Sequence, residues 1–176
     1  MTRRPRLRKF VLTAHVVSSV GWLGAVAVFL ALAVAGLTSQ DAQVVRAVYL
    51  AMESTGWFVL VPLSLASLVT GLLQSLGTKW GLFRHYWVVV KLVINVVATI
   101  VLLLYMQTLS HLAGVASDTT LSSSDPSELS SPSPALHAGV ALLLLLVAAV
   151  LSVYKPSGMT RYGWRKQQEQ RVAAQD

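Results

Sequence analysis

Between Lys9 and Asp41 the chain runs for thirty-one residues without a charge. An uninterrupted apolar run of this length is what a helix needs to cross a hydrocarbon layer, for which about 20 residues suffice. Three further runs meet the same requirement, so the candidate spans are residues 10–37, 57–76, 86–106 and 135–154. The spans take up more than half of the 176 residues and leave no room for a separate soluble domain. Composition agrees, with 55% hydrophobic residues, 12% charged residues and a mean hydropathy of +0.63, against about 25% charged residues in an ordinary soluble domain. The expected fold is all-α, a single four-transmembrane-helix bundle over residues 1–176.

Orientation follows from the basic residues, which are retained on the cytoplasmic side of a span. "TRRPRLRK" holds five of them, the connection between the second and third spans holds Lys79 and Arg84, and the tail after residue 154 holds five more. Only Arg46 and Lys91 lie elsewhere, whereas Asp41, Glu53, Asp118, Asp125 and Glu128 fall in the opposite connections. Both termini are therefore expected to be cytoplasmic, in a bacterial cytoplasmic membrane. The net charge of +7 then reads as a topology signal plus attraction to anionic lipid heads. Nucleic-acid binding is not expected, because no basic surface alternates with stacking aromatics on a soluble fold.

The basic start, the apolar run and "AVAG" at residues 33–36 imitate a secretory signal peptide, but the run far exceeds an h-region of about 7–15 residues. The chain has no cysteine, which removes disulfides, thiolate ligands and iron–sulfur clusters. Residues 38–56 place Val44, Val45, Val48, Tyr49 and Met52 on one helical face, which predicts a short interfacial helix or an extension of the first span. Residues 110–134 read as a flexible outer loop, Ser/Pro-rich and acidic from residue 116 onward.

Polar residues inside a span are costly and usually face the bundle interior. His15, Ser18, Ser19 and Trp22 share one face of the first helix, and Ser64, Ser67, Thr70, Gly71 and Gln74 share one face of the second. Trp87, Lys91, Asn95 and Ala98 do so in the third. The fourth span has no polar residue in its middle, and is expected to pack as a supporting helix through Gly139, Ala141, Ala148 and Ala149. His15 and Lys91 each stand five residues into their helices from the same side, about 7 to 8 Å deep at a 1.5 Å rise per residue. His15, Gln74, Lys91 and Asn95 could thus converge in one layer of the inner leaflet. Two alternatives stand beside that pocket. Lys91 can snorkel its ammonium to the interface, and the hydroxyls and Asn95 can serve as interhelical hydrogen-bonding groups.

"HVVSSVGWLG", "TGLLQ" and "YWVVVKLVINVV" resemble an uncharacterised integral-membrane-protein family common in actinobacteria. That family is similar, more distantly, to CopD-type copper-resistance membrane domains and HemJ-type protoporphyrinogen oxidases. The resemblance spans roughly residues 10 to 110. It implies a b-type haem on the helix-one histidine, here His15, and an essential helix-three lysine, here Lys91. On that reading Lys91 and Asn95 are the catalytic candidates, and Trp22, Gln74 and Arg84 join His15 in binding the cofactor. Arg84 and Lys79 would pair with propionates, and a membrane quinone or another redox partner would exchange electrons.

The departures limit what carries over. The HemJ pattern continues past its helix-one tryptophan with arginine, tyrosine and histidine, where this chain reads "AVAVFLALAVAGL", so porphyrinogen oxidation is not expected. Copper favours Cys, Met and clustered His, and the four methionines are Met1, Met52, Met106 and Met159. A second metal site is conceivable at the outer face, where His111 follows the third span and His137 opens the fourth. His85 reads as an interface residue. Nucleophile elbows, phosphate loops, HExxH and paired intramembrane carboxylates are all missing. The competing expectation is a non-catalytic accessory or assembly protein whose polar stripes only lock helix packing.

Overall fold

The structure, a computed structural model, describes residues 5–77, 82–117 and 131–173. Lys79, Asp118, Asp125 and Glu128 lie outside the described residues. Among the described residues six α-helices follow one another: α1 (Pro5–Thr38), α2 (Ala42–Thr55), α3 (Val61–Gly77), α4 (Tyr86–Ser117), α5 (Ser133–Tyr154) and α6 (Arg161–Val172). Four stretches are long and apolar enough to cross a membrane, and they form an antiparallel bundle. Residues near both termini, together with the α3–α4 connection, lie at one end of it, here the terminal end. The α1–α2 and α4–α5 turns lie at the other, the loop end.

Residues 38–56 depart from both expectations. α2 is neither an interfacial helix nor an extension of the first span; it runs on into the second, through a π-helical turn at Gly56–Leu60, giving one stretch from Ala42 to Leu76. The break comes instead at Ser39–Asp41. There the Asp41 carboxylate accepts from Gln43 N–H at 2.8 Å, a helix N-cap that restarts the chain in the opposite direction. Val45, Val48, Tyr49 and Met52 are buried as the periodicity predicts, whereas Val44 is exposed.

Gly56 shows why the π turn can sit where it does. A Cβ on Gly56 would stand 2.5 Å from Met106 Sδ, so the missing side chain lets α4 approach the widened turn. Met106 and Met52 are both fully buried there, as packing residues rather than ligands at a surface.

α4 runs to Ser117 and α5 starts at Ser133, so helix claims both ends of the stretch 110–134. Arg46 Nε donates to the Ala116 carbonyl at 2.6 Å, placing a cation where the α4 backbone dipole ends in negative partial charge. This gives Arg46, the only basic residue of its connection, a structural task. α5 stops at Lys155, whose φ of +43° is left-handed and whose N–H returns to the Leu151 carbonyl.

The tail after residue 154 is a further surprise, because it folds back on the α3–α4 connection. His85 and Met159 form a β-bridge, Thr160 N–H donates to the Arg84 carbonyl at 3.0 Å, and the Thr160 hydroxyl donates to Phe83 O. Thr160 also caps α6 by accepting from Gly163 N–H at 3.1 Å. A Cβ on Gly163 would collide with the Arg84 backbone, so glycine is required for α6 to lie against this strand-like segment.

Large apolar side chains such as Phe58, Leu143 and Val153 point away from the bundle. In water these would be a liability; against lipid they are the solvent-compatible face. α5 is the least enclosed of the four candidate spans, and it packs on α1 and α4. Ala138 is its buried small residue. Gly139 has open space beside it and Ala149 is exposed, so the supporting role holds but not through the whole predicted set.

Candidate functional site

The polar stripes of α1, α3 and α4 do meet, and Ser67 is where they join. His15 Nδ1 lies 3.2 Å from the Ser67 carbonyl and 3.2 Å from Thr70 Oγ1. A carbonyl only accepts, so Nδ1 carries the proton; Thr70 donates its own to the Ala66 carbonyl and is free to accept. The ring rests on bare backbone, since a Cβ on Gly71 would stand 3.0 Å from His15 Cε1.

A second path links the same helices through hydroxyls. Ser19 donates to the His15 carbonyl at 2.7 Å, which leaves its oxygen to accept from Ser67 at 2.9 Å. Ser67 Oγ in turn accepts from Asn95 Nδ2 at 3.4 Å. Donation therefore runs from α4 to α3 to α1 in one direction, an arrangement in which each bond polarises the next. Ser67 and Ser18 are buried. Two acceptors, Asn95 Oδ1 and Gln74 Oε1, are buried without a hydrogen-bond partner among the described residues. In hydrocarbon such oxygens call for a water or another donor.

Lys91 points elsewhere. Its Nζ donates to Ser152 Oγ on α5 at 2.9 Å and sits 4.6 Å from the centre of the Trp87 ring, one turn nearer the terminal end. Ser152 passes its own proton to the Ala148 carbonyl at 2.9 Å. The ammonium thus has a hydroxyl and an aromatic face, both close to the end of the bundle, which is the geometry of a snorkelling lysine. His15 makes its hydrogen bonds to α3 and Lys91 makes its own to α5.

The other candidates are dispersed. Arg84 Nη2 donates to Gln170 Oε1 on α6 at 3.0 Å, in the terminal latch. His85 is bridged to Met159 in the same latch. Trp22 is buried one turn beyond the seam and borders an apolar cavity of about 390 Å³ toward the loop end. His137, across that cavity, stacks on Tyr105 with ring centres 4.3 Å apart, while its Nδ1–H donates to the Ser133 carbonyl at 2.8 Å. His111 is exposed on α4, six residues past Tyr105. Six residues turn a helix through about 600°, so His111 faces well away from the ring that His137 covers. Among the described residues no group of three or more His, Cys, Asp or Glu is placed to hold a metal ion.

Of the donor set expected around a haem, His15 keeps one ring nitrogen open. With Nδ1 fixed on a carbonyl its Nε2 lone pair remains, which is how ligating imidazoles are commonly held. Arg84 donates to Gln170 and Lys91 to Ser152, and the apolar cavity beside Trp22 is not lined by His15. Ser152, Gln170 and the latch escaped sequence reasoning. Comparisons with protein-family models, with curated proteins and with solved structures return no match.

Proposed function

We propose that this chain is a non-catalytic membrane accessory or assembly protein, in which the intramembrane polar residues serve helix packing. The observation that carries this reading is the hydrogen-bond chain from Asn95 through Ser67 and Ser19 to the His15 carbonyl, which joins three helices. In lipid the hydrophobic effect does not draw helices together, so van der Waals contact and interhelical hydrogen bonds must. Lys91 belongs to the same economy of packing, anchoring α4 to α5 through Ser152. With the basic segments retained in the cytoplasm, both termini face inward in a bacterial cytoplasmic membrane, and lipid is the surrounding partner.

A second reading is favoured by one observation, the fixed Nδ1 of His15. In it His15 holds a b-type haem through Nε2, and the protein exchanges electrons with a membrane quinone or a redox partner, as the resemblance of the first and third spans implies. The bound group would supply one-electron chemistry; the chain's own part is to hold the imidazole in one tautomer. The reduced-minus-oxidised optical spectrum of the purified protein, expressed with ample haem, separates the two. The packing reading expects no haem signal in wild type. A b-type signal that His15→Ala abolishes would replace it with the haem reading.

A further inference from the structure

Lys91 and Lys155 form a cationic pair at the terminal end of the α4–α5 seam. Lys155 is the left-handed cap residue of α5. The backbone that follows it is held against α4, where Tyr86 N–H donates to the Gly158 carbonyl at 3.4 Å. Lys91 reaches the same place from within its span. Its Nζ lies 2.9 Å from Ser152 Oγ, and Ser152 precedes Lys155 by three residues, about one helical turn. The two ammonium groups are close enough to repel one another.

No carboxylate balances them among the described residues. Asp41 caps α2 and Glu53 lies in that helix, both toward the loop end, and Glu169 is held within α6 by Arg165 and Lys166. A charge beside hydrocarbon is costly, and a like charge next to it adds to the cost. Ser152 takes one of the three N–H donors of Lys91 and passes its own proton to the Ala148 carbonyl. The Trp87 ring offers Lys91 an aromatic face and no acceptor oxygen. Donors on both ammonium groups are therefore left for an anion.

The pair is open on one side, since Ser152 and Lys155 are exposed, as are Val153 and Tyr154 between them. Depth says which anion arrives. Ser152 stands two residues before the end of α5, about 3 Å at helical rise, so the Lys91 ammonium meets Lys155 where the apolar run gives way to head groups. Tyr86 and Tyr154, both exposed at the same end, have the position of interfacial aromatics. At this level the abundant anion is the phosphodiester of a phospholipid, and an acidic phospholipid brings no cation of its own to oppose the lysines.

We infer that Lys91 and Lys155 together bind the phosphodiester of an acidic phospholipid at the terminal end of the α4–α5 seam. This needs only that the chain span a bilayer, and it holds whether or not His15 carries a cofactor. It also accounts for two lysines converging where the described residues supply no acid.

The test is native mass spectrometry of the full chain in detergent micelles, titrated separately with phosphatidylglycerol, with phosphatidylcholine of the same acyl chains and with inorganic phosphate. Phosphatidylglycerol is expected to be retained in preference to phosphatidylcholine, and inorganic phosphate is not expected to displace it. Lys155→Gln alters an exposed side chain and should weaken that retention about fivefold, the effect of one lysine at an anionic lipid surface. Lys91→Met should weaken it comparably, whereas Lys155→Arg keeps the charge and should keep the lipid. Lys166→Gln removes the same charge from α6 and should leave retention unchanged. Equal retention of the two lipids would overturn the site, and so would an equal loss in Lys166→Gln and Lys155→Gln, which marks diffuse attraction to the whole basic end. Displacement of phosphatidylglycerol by inorganic phosphate would overturn the lipid assignment in favour of a soluble anion.

Discussion

The two halves of the bundle are held together by different means. Toward the terminal end, α1, α3 and α4 are joined by side-chain hydrogen bonds centred on Ser67, and bare backbone at Gly71 receives the His15 ring. Toward the loop end, Val45, Met52, Met106 and Leu109 fill the core with apolar contact, the side-chain hydrogen bonds from Arg46 to the Ala116 carbonyl and from Trp57 to Ser110 lie outside that core, and a groove remains beside Trp22 and Phe29. Both halves hold close approaches, the His15 ring on Gly71 in one and Met106 on Gly56 in the other, but only in the polar half do directional bonds fix them. Apolar contact sets no direction, and α5, whose middle carries no polar group, settles against α1 and α4 with space left between them.

This contrast can be broken from either side. Ser67→Leu should have the largest effect, about 3 kcal/mol or more, because overpacking of a buried site costs about 1–3 kcal/mol and both hydroxyl links disappear; reversible unfolding in mixed micelles measures it. Gly56→Ala comes next, at about 1–2 kcal/mol, since Met106 must yield its place; the same assay applies, and Gly56→Ala with Met106→Ala should recover part of the loss. Asn95→Ala should cost about 1 kcal/mol, the typical worth of one interhelical bond in a membrane. Ala141→Phe sharpens the comparison, because a bulky group added to the loose half should change stability by no more than about 0.5 kcal/mol. If Ala141→Phe proves as damaging as Ser67→Leu, the groove is not the open space described. Outside the bundle, Lys155→Gly relieves a left-handed residue and should stabilise by about 1 kcal/mol, the same assay reading an increase.

Much of this was legible in the letters. The four apolar stretches and the polar stripes emerged from hydropathy and a 3.6-residue period. What the period could not give was direction around the helix axis relative to neighbours. His15 faces α3 and Lys91 faces α5, and nothing in a single stripe says which helix stands opposite it. Ser152 lies near the end of α5, outside its apolar middle, where a lysine five residues into α4 reaches it.

The second span was misjudged for a related reason. Gln43, Arg46 and Glu53 lower the hydropathy of residues 42–55, so the apolar run starts late while the helix does not. Asp41 was the available signal, as a capping residue ahead of a periodic segment. α6 carried a similar mark, Thr160 before Arg161–Val172, hidden by a composition that reads as a basic tail.

His15 is hydrogen-bonded to α3, and Lys91 to α5. A double-mutant cycle measures this directly, with His15→Ala paired with Thr70→Val in one cycle and with Lys91→Met in another, both read by reversible unfolding. The expected result is a coupling of about 0.6–1.7 kcal/mol for His15 with Thr70 and none resolved for His15 with Lys91. Strong coupling of His15 with Lys91, and none with Thr70, would contradict the account and restore the shared pocket.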